Sequence, residues 1–453
     1  MIELLRRVRD EDPERIAVIG EAGATSYAAL TGEAEELAAG LRQAGLERFA
    51  LVTYDVTLIV AVLAASSLTG VEACVYAPDA SPEEIRRQAA ALDHTVLLTT
   101  RDDIADALAG ELDVRRPDAL RATGSPVDVP PQRRPLLVLT TGTTGLPRGV
   151  RHDWARQLSR VPATPQGAGQ RWLLVYGPNQ FAGLQVLIHV LGAGATLVAP
   201  PVRRPKAVKD DLYDHAVTHI SATPTFWRFL LAELRSDGRP MPALRQITLG
   251  GEAAPASLLD QLEEAFPDAR ISHVYAGSEF GSTGSVSDRR NGLPVSLLER
   301  DEEGHVGLRV EDGQLFVRSS AAMLGYYGED DLPASDWWPT GDLVEIVDGR
   351  IEFRGRASDV VNVGGVKVHP LPVEERVAGV PGVRAARVYG RANALVGAVV
   401  AVDVVTEPGA DEAAVKLAVK AACADLPRPA QPRSVRIVDD LAIRGGKTVR
   451  GSE

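Results

Sequence analysis

The sequence predicts an α/β protein with a large, multi-subdomain N-terminal α/β region and a small, mobile C-terminal α+β domain. Three observations carry that expectation. Short apolar runs recur between helical patterns and Gly or Pro breaks, as buried parallel strands do. The 453 residues are enough for two to four domains at roughly 100–200 residues each. A break near Gly355–Asp359 then leaves residues 356–453 with helical patterns of their own, so the division expected is 1–355 and 356–453.

Taken along the chain, the opening MIELLRRVRDEDPER mixes charge and apolar residues without a signal-peptide core, and a cytoplasmic protein is expected. Leu58–Leu68 is apolar but ends at Thr69-Gly70, short of the roughly 18–20 residues of a membrane span. Ser81-Pro82-Glu83-Glu84 carries a capping box, with Ser at the cap, Pro first and Glu third, and starts a helix. Ser125–Pro135 is a proline-rich connection. The apolar runs Leu136–Leu139, Trp172–Tyr176, Thr196–Ala199, His219–Ala222, Ile247–Leu249 and Ile271–Tyr275 read as buried strands. Gln314–Ser319 alternates as an antiparallel strand does, and Asp411–Leu426 repeats Val415, Val419, Ala422 and Leu426 at helical spacing.

Composition narrows the function classes. A net charge of −12 argues against a general nucleic-acid or anionic-membrane binder, which needs a basic footprint. Two cysteines, Cys74 and Cys423, cannot build a disulfide framework or a cysteine-based zinc site, and fit a reducing compartment.

The most informative stretch is Leu139-Thr-Thr-Gly-Thr-Thr-Gly-Leu-Pro-Arg-Gly-Val150. Glycines let backbone approach oxyanions closely, while the threonines and Arg148 add donors and charge, so the physical reading is a phosphate cradle; a hydroxyl-rich surface turn is the plainer one. The Gly-Lys-Ser/Thr ending of a P-loop is missing, which disfavours a generic P-loop ATPase.

Thr140–Val150 resembles the phosphate loop of the adenylate-forming superfamily, which includes acyl- and aryl-CoA ligases, nonribosomal adenylation domains and luciferases. Further signatures follow in that superfamily's order: Gly250-Gly251-Glu252-Ala253, Tyr275-Ala-Gly-Ser-Glu279, Pro339-Thr-Gly-Asp342, Gly355-Arg356, Gly364-Gly365 and Gly446-Lys447. The resemblance implies that Thr140, Thr141, Gly142, Thr143, Thr144, Gly145 and Arg148 hold the ATP phosphates. It places Gly251, Glu252 and Ala253 at the adenine pocket, with Tyr275 stacked on the base. Asp342, assisted by Arg356, would hold the ribose, and Glu279 would bind Mg²⁺. Ser278, where the superfamily usually has Thr, would sit by the α-phosphate and the substrate carboxylate. Lys447 would bridge those two groups, and Gly364-Gly365 would line a pantetheine tunnel after the small domain rotates about Ser358. Each residue also has a bland reading: a capping carboxylate for Glu279 or Asp342, a core ring for Tyr275, a solvated charge for Lys447, a tight turn for the glycine pair.

The implied chemistry suits those residue types. A carboxylate attacking an α-phosphate meets like charge, and a cation and positioned donors act where charge gathers in the transition state. The implied function is ATP- and Mg²⁺-dependent adenylation of a small-molecule carboxylic acid, then transfer to the thiol of CoA or of a carrier-protein phosphopantetheine. Amine or other nitrogen acceptors stay open, as does a homodimer; a non-catalytic scaffold ranks lower because Lys447, Glu279 and Asp342 are all present.

Several positions depart from the pattern. Arg148 stands where relatives have Lys, and Ser358 where the hinge is usually Asp or Lys. Lys367 faces either solvent or a CoA phosphate. Tyr176–Gly183 lacks the expected His and is one residue short, with Phe181 its nearest substitute. His152 reads as structural, and His273 as either pocket lining or packing. The acid pocket is assigned to Asn179, Gln180, Phe181, Gly183, Phe226, Trp227, His273, Gly277 and Phe280. These are largely apolar with an amide pair, and carry no Asp or Lys to announce an α-amino acid. That lining and the compact chain favour a small aryl or short- to medium-chain acid.

Overall fold

A computed structural model describes residues 1–124, 134–140, 147–299, 306–333, 336–407, 409–441, 443–444 and 447–448. Two large sheets face each other across a helical core. In one, the parallel strands Asp113–Arg115, Val96–Thr99, Arg48–Val52, Glu72–Val75 and Pro135–Thr140 lie side by side, and Arg148–Asp153 then pairs antiparallel. In the other, Thr196–Val198, Arg171–Leu174, His219–Ala222, Gln246–Gly250 and Arg270–Gly277 run parallel, with Gly281–Val286 returning antiparallel at the edge. Each of the six apolar runs expected as strands coincides with one of these elements, although Trp172–Tyr176 runs two residues past its strand and Thr196–Ala199 one.

The helices between the sheets explain the apolar stretch near residue 60. Helix Val56–Thr69 is apolar on every side and is buried from Val56 to Leu68 apart from Thr57, because helices and strands surround it. Among the described residues no helix is long and apolar enough to cross a membrane. Local signals set the boundaries: Ser81 accepts from the Glu84 amide at 3.3 Å while Glu84 accepts from the Ser81 amide at 2.9 Å, closing the capping box. Asp411 caps helix Glu412–Ala422 through the amides of Ala413 and Ala414.

A third sheet, antiparallel, joins Leu293–Pro294, Arg350–Arg356, Trp338–Val347, Gln314–Arg318 and Gly307–Glu311. The alternating segment Gln314–Arg318 belongs here, as its period requires. The last sheet is built on the long hairpin Val383–Asn393 and Gly397–Thr406, flanked by Val361–Val363, Val366–Val368 and Ser434–Ile437. Helices Pro370–Ala378 and Glu412–Ala422 pack valines on it to make a separate core. This region touches the rest of the chain through a small cluster of Phe229, Ala385, Val405 and Leu441, with the Arg384 guanidinium 4.3 Å from the Phe229 ring centre. The proline-rich connection lies outside the described residues from 125 to 133.

Candidate functional site

The phosphate segment connects two strands of a hairpin rather than a strand and a helix. Thr140 pairs with Arg148 across the antiparallel ladder, and Thr140 Oγ1 donates to the Arg148 carbonyl at 3.3 Å. Thr141, Gly142, Thr143, Thr144 and Gly145 lie outside the described residues. The Arg148 guanidinium rests 3.5 Å from the ring centre of Tyr326 and pairs with Glu329 at 2.9 Å.

The Tyr275–Glu279 motif lies in the second sheet, at the turn between its edge strand and the strand beside it. Tyr275 lies two residues before the end of the last parallel strand, and Ser278-Glu279-Phe280 turns the chain back into Gly281–Val286. The turn is crowded: a Cβ on Gly277 would lie 2.5 Å from the Phe280 ring, so only glycine lets that ring fold under it. Glu279 is held at both ends, its carbonyl accepting from the Met323 amide at 2.8 Å and its carboxylate from the Tyr326 hydroxyl at 3.1 Å. Ser278 sits half-buried in the same turn.

Tyr275 reaches the third sheet. Its hydroxyl donates to Asp342 at 2.6 Å, and Arg356 approaches the other carboxylate oxygen of Asp342 at 3.4 Å. Asp342 pairs with Arg356 because their two strands are antiparallel neighbours. Burial and the adjacent Asp342 carboxylate push the Tyr275 phenol well above its ordinary pKa, so it stays a donor. Its ring leans on Phe280 and Phe353, with centroids 5.4 and 4.9 Å away.

The Gly251–Ala253 segment is pinned by the helix beside it. Glu252 accepts from the amide and hydroxyl of Thr225, at 3.0 and 2.7 Å, at the start of helix Pro224–Ser236. A carboxylate there meets unpaired amides and the positive end of the helix dipole. Tyr176 closes the other side, donating to the Gly250 carbonyl at 3.2 Å.

The residues assigned to the acid pocket divide. Phe181 begins helix Phe181–Gly192, and its ring stacks on His152 at 5.2 Å. Gly183 brings the helix against the preceding loop, where a Cβ would stand 2.0 Å from the Gly177 carbonyl oxygen. Asn179 and Gln180 are half-buried in that loop, and Phe226 is half-buried beside the helix cap. Trp227 has no exposed surface: it packs edge-on against Phe266 in the core, so it supports the wall rather than forming it. His273 is also packing, since its Nε2 donates to the Gly292 carbonyl at 2.9 Å and Arg350 donates to the same oxygen.

His152 is fully buried, and burial lowers its pKa to about 3. The ring is therefore neutral. Gln157 bridges it to the Ala321 carbonyl, at 3.1 Å each, and accepts from Gln185 at 2.8 Å. His152 Nε2 has no hydrogen-bond partner among the described residues.

The remaining positions belong to the last part of the chain. Ser358 is exposed in a short 3₁₀ turn, its hydroxyl donating to Asp359 at 2.9 Å. Gly364 and Gly365 are exposed in the hairpin joining Val361–Val363 to Val366–Val368, with φ of 59° and 90°. That two-residue turn needs positive φ at both places, which accounts for the glycine pair in this arrangement; a Cβ on Gly365 would meet nothing within 4 Å. Lys367 is exposed. Lys447 pairs with Arg444 in a short hairpin.

Tyr326, Gln157 and Gln185 were not marked by the sequence reading. Tyr326 sits in the undistinguished run Gly325-Tyr326-Tyr327, and the two glutamines acquire their role by meeting across helices.

Residues 5–327 match the model of the AMP-binding enzyme family, which covers most of the chain; the chain belongs to that family. A medium/long-chain fatty-acid–acyl-carrier-protein ligase, FadD10 of Mycobacterium tuberculosis, is 29% identical over 355 residues, 70% of this chain. That match spans 65% of the relative's own length. The fold is that of the solved o-succinylbenzoate CoA synthetase of Bacillus subtilis, with a TM-score of 0.78, 23% identity and 99% and 96% of the two chains covered. The anthranilate CoA ligase AuaEII superimposes with a TM-score of 0.85 at 21% identity, over 99% and 95%.

Proposed function

We propose that this chain is an AMP-forming acid–thiol ligase: it uses ATP and Mg²⁺ to adenylate a carboxylic acid and transfers the acyl group to CoA or a carrier-protein pantetheine. The observation that carries the reading is the junction of the second and third sheets. There Tyr275, Asp342 and Arg356 meet, and the Ser278–Glu279 turn follows Tyr275 directly. A polar group suited to a ribose diol thus meets a ring suited to a base across two sheets, and a carboxylate suited to a cation follows that ring by four residues.

Among the described residues no three His, Cys, Asp or Glu side chains gather to hold a metal alone. Magnesium does not require it, since it is commonly bound by one or two carboxylates together with substrate phosphates. Glu279 fits that part, and bound Mg²⁺ would neutralise charge on the phosphate oxygens. Thr140–Gly145 and Arg148 would cradle the phosphates, Gly251–Ala253 and Tyr275 the adenine, and Asp342 with Arg356 the ribose. Ser278 and Lys447 would hold the acid carboxylate against the α-phosphate, so that the entropy of bringing two anions together is met before reaction. The half-buried Asn179, Gln180 and Phe226, with Phe181, Gly183, Gly277 and Phe280, suit a small aryl or short- to medium-chain acid.

The division at 355/356 is supported by the separate valine core of the last sheet, and Ser358, Gly364 and Gly365 keep their proposed hinge and pantetheine roles in a rotated arrangement. A cytoplasmic location and a homodimer belong to the same proposal; light scattering reads the oligomer directly.

The test is ATP–[³²P]pyrophosphate exchange with Mg²⁺ across aryl, short-chain, medium-chain and amino acids. Exchange with one acid class supports the reading, and CoA, a pantetheinylated carrier and simple amines then identify the acceptor. Silence across the panel in a protein that still binds ATP refutes it.

A further inference from the structure

One side chain outside the named motifs touches two of them. Tyr326 lies in the two-residue strand Gly325–Tyr326, which pairs antiparallel with Val150 and Arg151 and adds an edge strand to the first sheet. Its hydroxyl donates to Glu279 Oε1 at 3.1 Å, while its ring carries the Arg148 guanidinium at 3.5 Å. Arg148 and Glu279 come from different sheets, and this phenol spans the gap between them.

The two contacts act differently. A carboxylate offers about four lone-pair sites on two oxygens, so a donor fixed on Oε1 orients the group and leaves sites open for a cation. A phenol has an ordinary pKa of about 10, so at neutral pH this hydroxyl is protonated and donates. On the other face, an arginine stacked flat on a ring keeps its N–H edges free in the ring plane. One such edge is taken by Glu329, at 2.9 Å, three residues beyond the tyrosine. Arg148 and Glu329 are each about half exposed, with side-chain exposures of 51% and 56%. Exposed pairs of this kind contribute little and are readily exchanged, whereas a phosphate offers arginine more charge and a matching fork.

We propose that Tyr326 is a positioning residue for Mg-ATP: its hydroxyl orients Glu279 toward the metal, its ring presents Arg148 to the phosphates, and Glu329 occupies Arg148 until a triphosphate displaces it. The assignment rests on the adenylation reading above and adds to it a coupling between the metal side and the phosphate side.

The experiment is calorimetric titration of the full chain with α,β-methylene-ATP at several fixed Mg²⁺ concentrations, so that no acid is required. Tyr326→Phe keeps the ring and removes the hydroxyl. It is expected to raise the Mg²⁺ concentration for half-maximal tightening about tenfold, the lower end for loss of an outer-shell partner, with analogue affinity at saturating Mg²⁺ unchanged. Tyr326→Leu removes the ring as well and should weaken binding even at saturating Mg²⁺. Glu329→Gln should tighten analogue binding about two- to fivefold at low salt, an advantage that vanishes at high salt. Thermal denaturation of each variant separates misfolding from misplacement. An unchanged Mg²⁺ dependence in a folded Tyr326→Phe, or weaker binding in Glu329→Gln, overturns the assignment while leaving the adenylation reading standing. A wild-type chain that binds no analogue with Mg²⁺ overturns both.

Discussion

The nucleotide side and the acid side of the candidate site are built by different means. On the proposed nucleotide side, polar groups are tied to one another by hydrogen bonds and ion pairs: Tyr275 to Asp342, Asp342 to Arg356, Glu252 to Thr225, Glu279 to Tyr326. On the acid side, shape comes from packing: Gly183 against the Gly177 carbonyl, Trp227 sealed in the core, Phe181 stacked on a neutral buried histidine. A side chain that acts through one functional group can be replaced with little harm to the fold. One that acts through volume cannot. Variants on the first side should therefore change chemistry at constant stability, and variants on the second should change stability first.

The largest effect expected is on chemistry. Lys447→Ala should lower the exchange rate about 10²- to 10³-fold, the loss of about 3–4 kcal/mol typical of one removed charge-stabilising group, with Tm unmoved. Exchange that survives the substitution would remove Lys447 from the site. Next comes Gly183→Ala, expected to destabilise by about 1–3 kcal/mol in urea denaturation, because a Cβ 2.0 Å from a carbonyl oxygen forces the backbone apart. Full stability there would break the comparison, since the acid side would then tolerate volume.

Asp342→Asn should raise the KM for ATP about tenfold, near 1.4 kcal/mol, without a stability change. It also has an optical readout. The Asp342 charge helps hold the Tyr275 phenol protonated, so the asparagine variant should release that proton at lower pH in an absorbance titration.

The last effect is a slope, small over any single pH step. His152 has a folded-state pKa of about 3 against an ordinary 6.5, so between those values the unfolded chain binds a proton that the folded chain refuses. Stability must then fall as pH drops below 6.5, by about 1.4 kcal/mol per unit from this residue, and level off near 3. His152→Phe should remove that part of the slope in urea denaturations at pH 7, 6 and 5. Glu375 works in the opposite sense. Its pKa is raised to about 7, chiefly by burial and also by Glu352 and Glu374 against the opposing Arg354 and Arg228, so it adds stability as pH falls from 7 toward 4.5.

Particular residues show how far the sequence could be read. The capping box at Ser81 was legible because a cap is a contact over three positions. The six apolar runs were legible as strands because burial on both faces leaves a continuous apolar signature. Glu279 and Asp342 stood out only within motifs whose residues are neighbours in the chain. His273 did not resolve until Gly292 appeared beside it, and Tyr326 had no local pattern to announce it.

By itself, then, the sequence determined the family, the alternation of strands and helices, the apolar character of Leu58–Leu68 and the chemical types at the proposed nucleotide side. Those properties reside in short windows, where periodicity and residue type act directly. The tertiary structure decided that the phosphate segment joins a hairpin, that Trp227 and His273 face inward, and that Arg148 and Glu279 share one tyrosine. These depend on which distant segments pack together, and packing is a property of the whole chain that no short window contains.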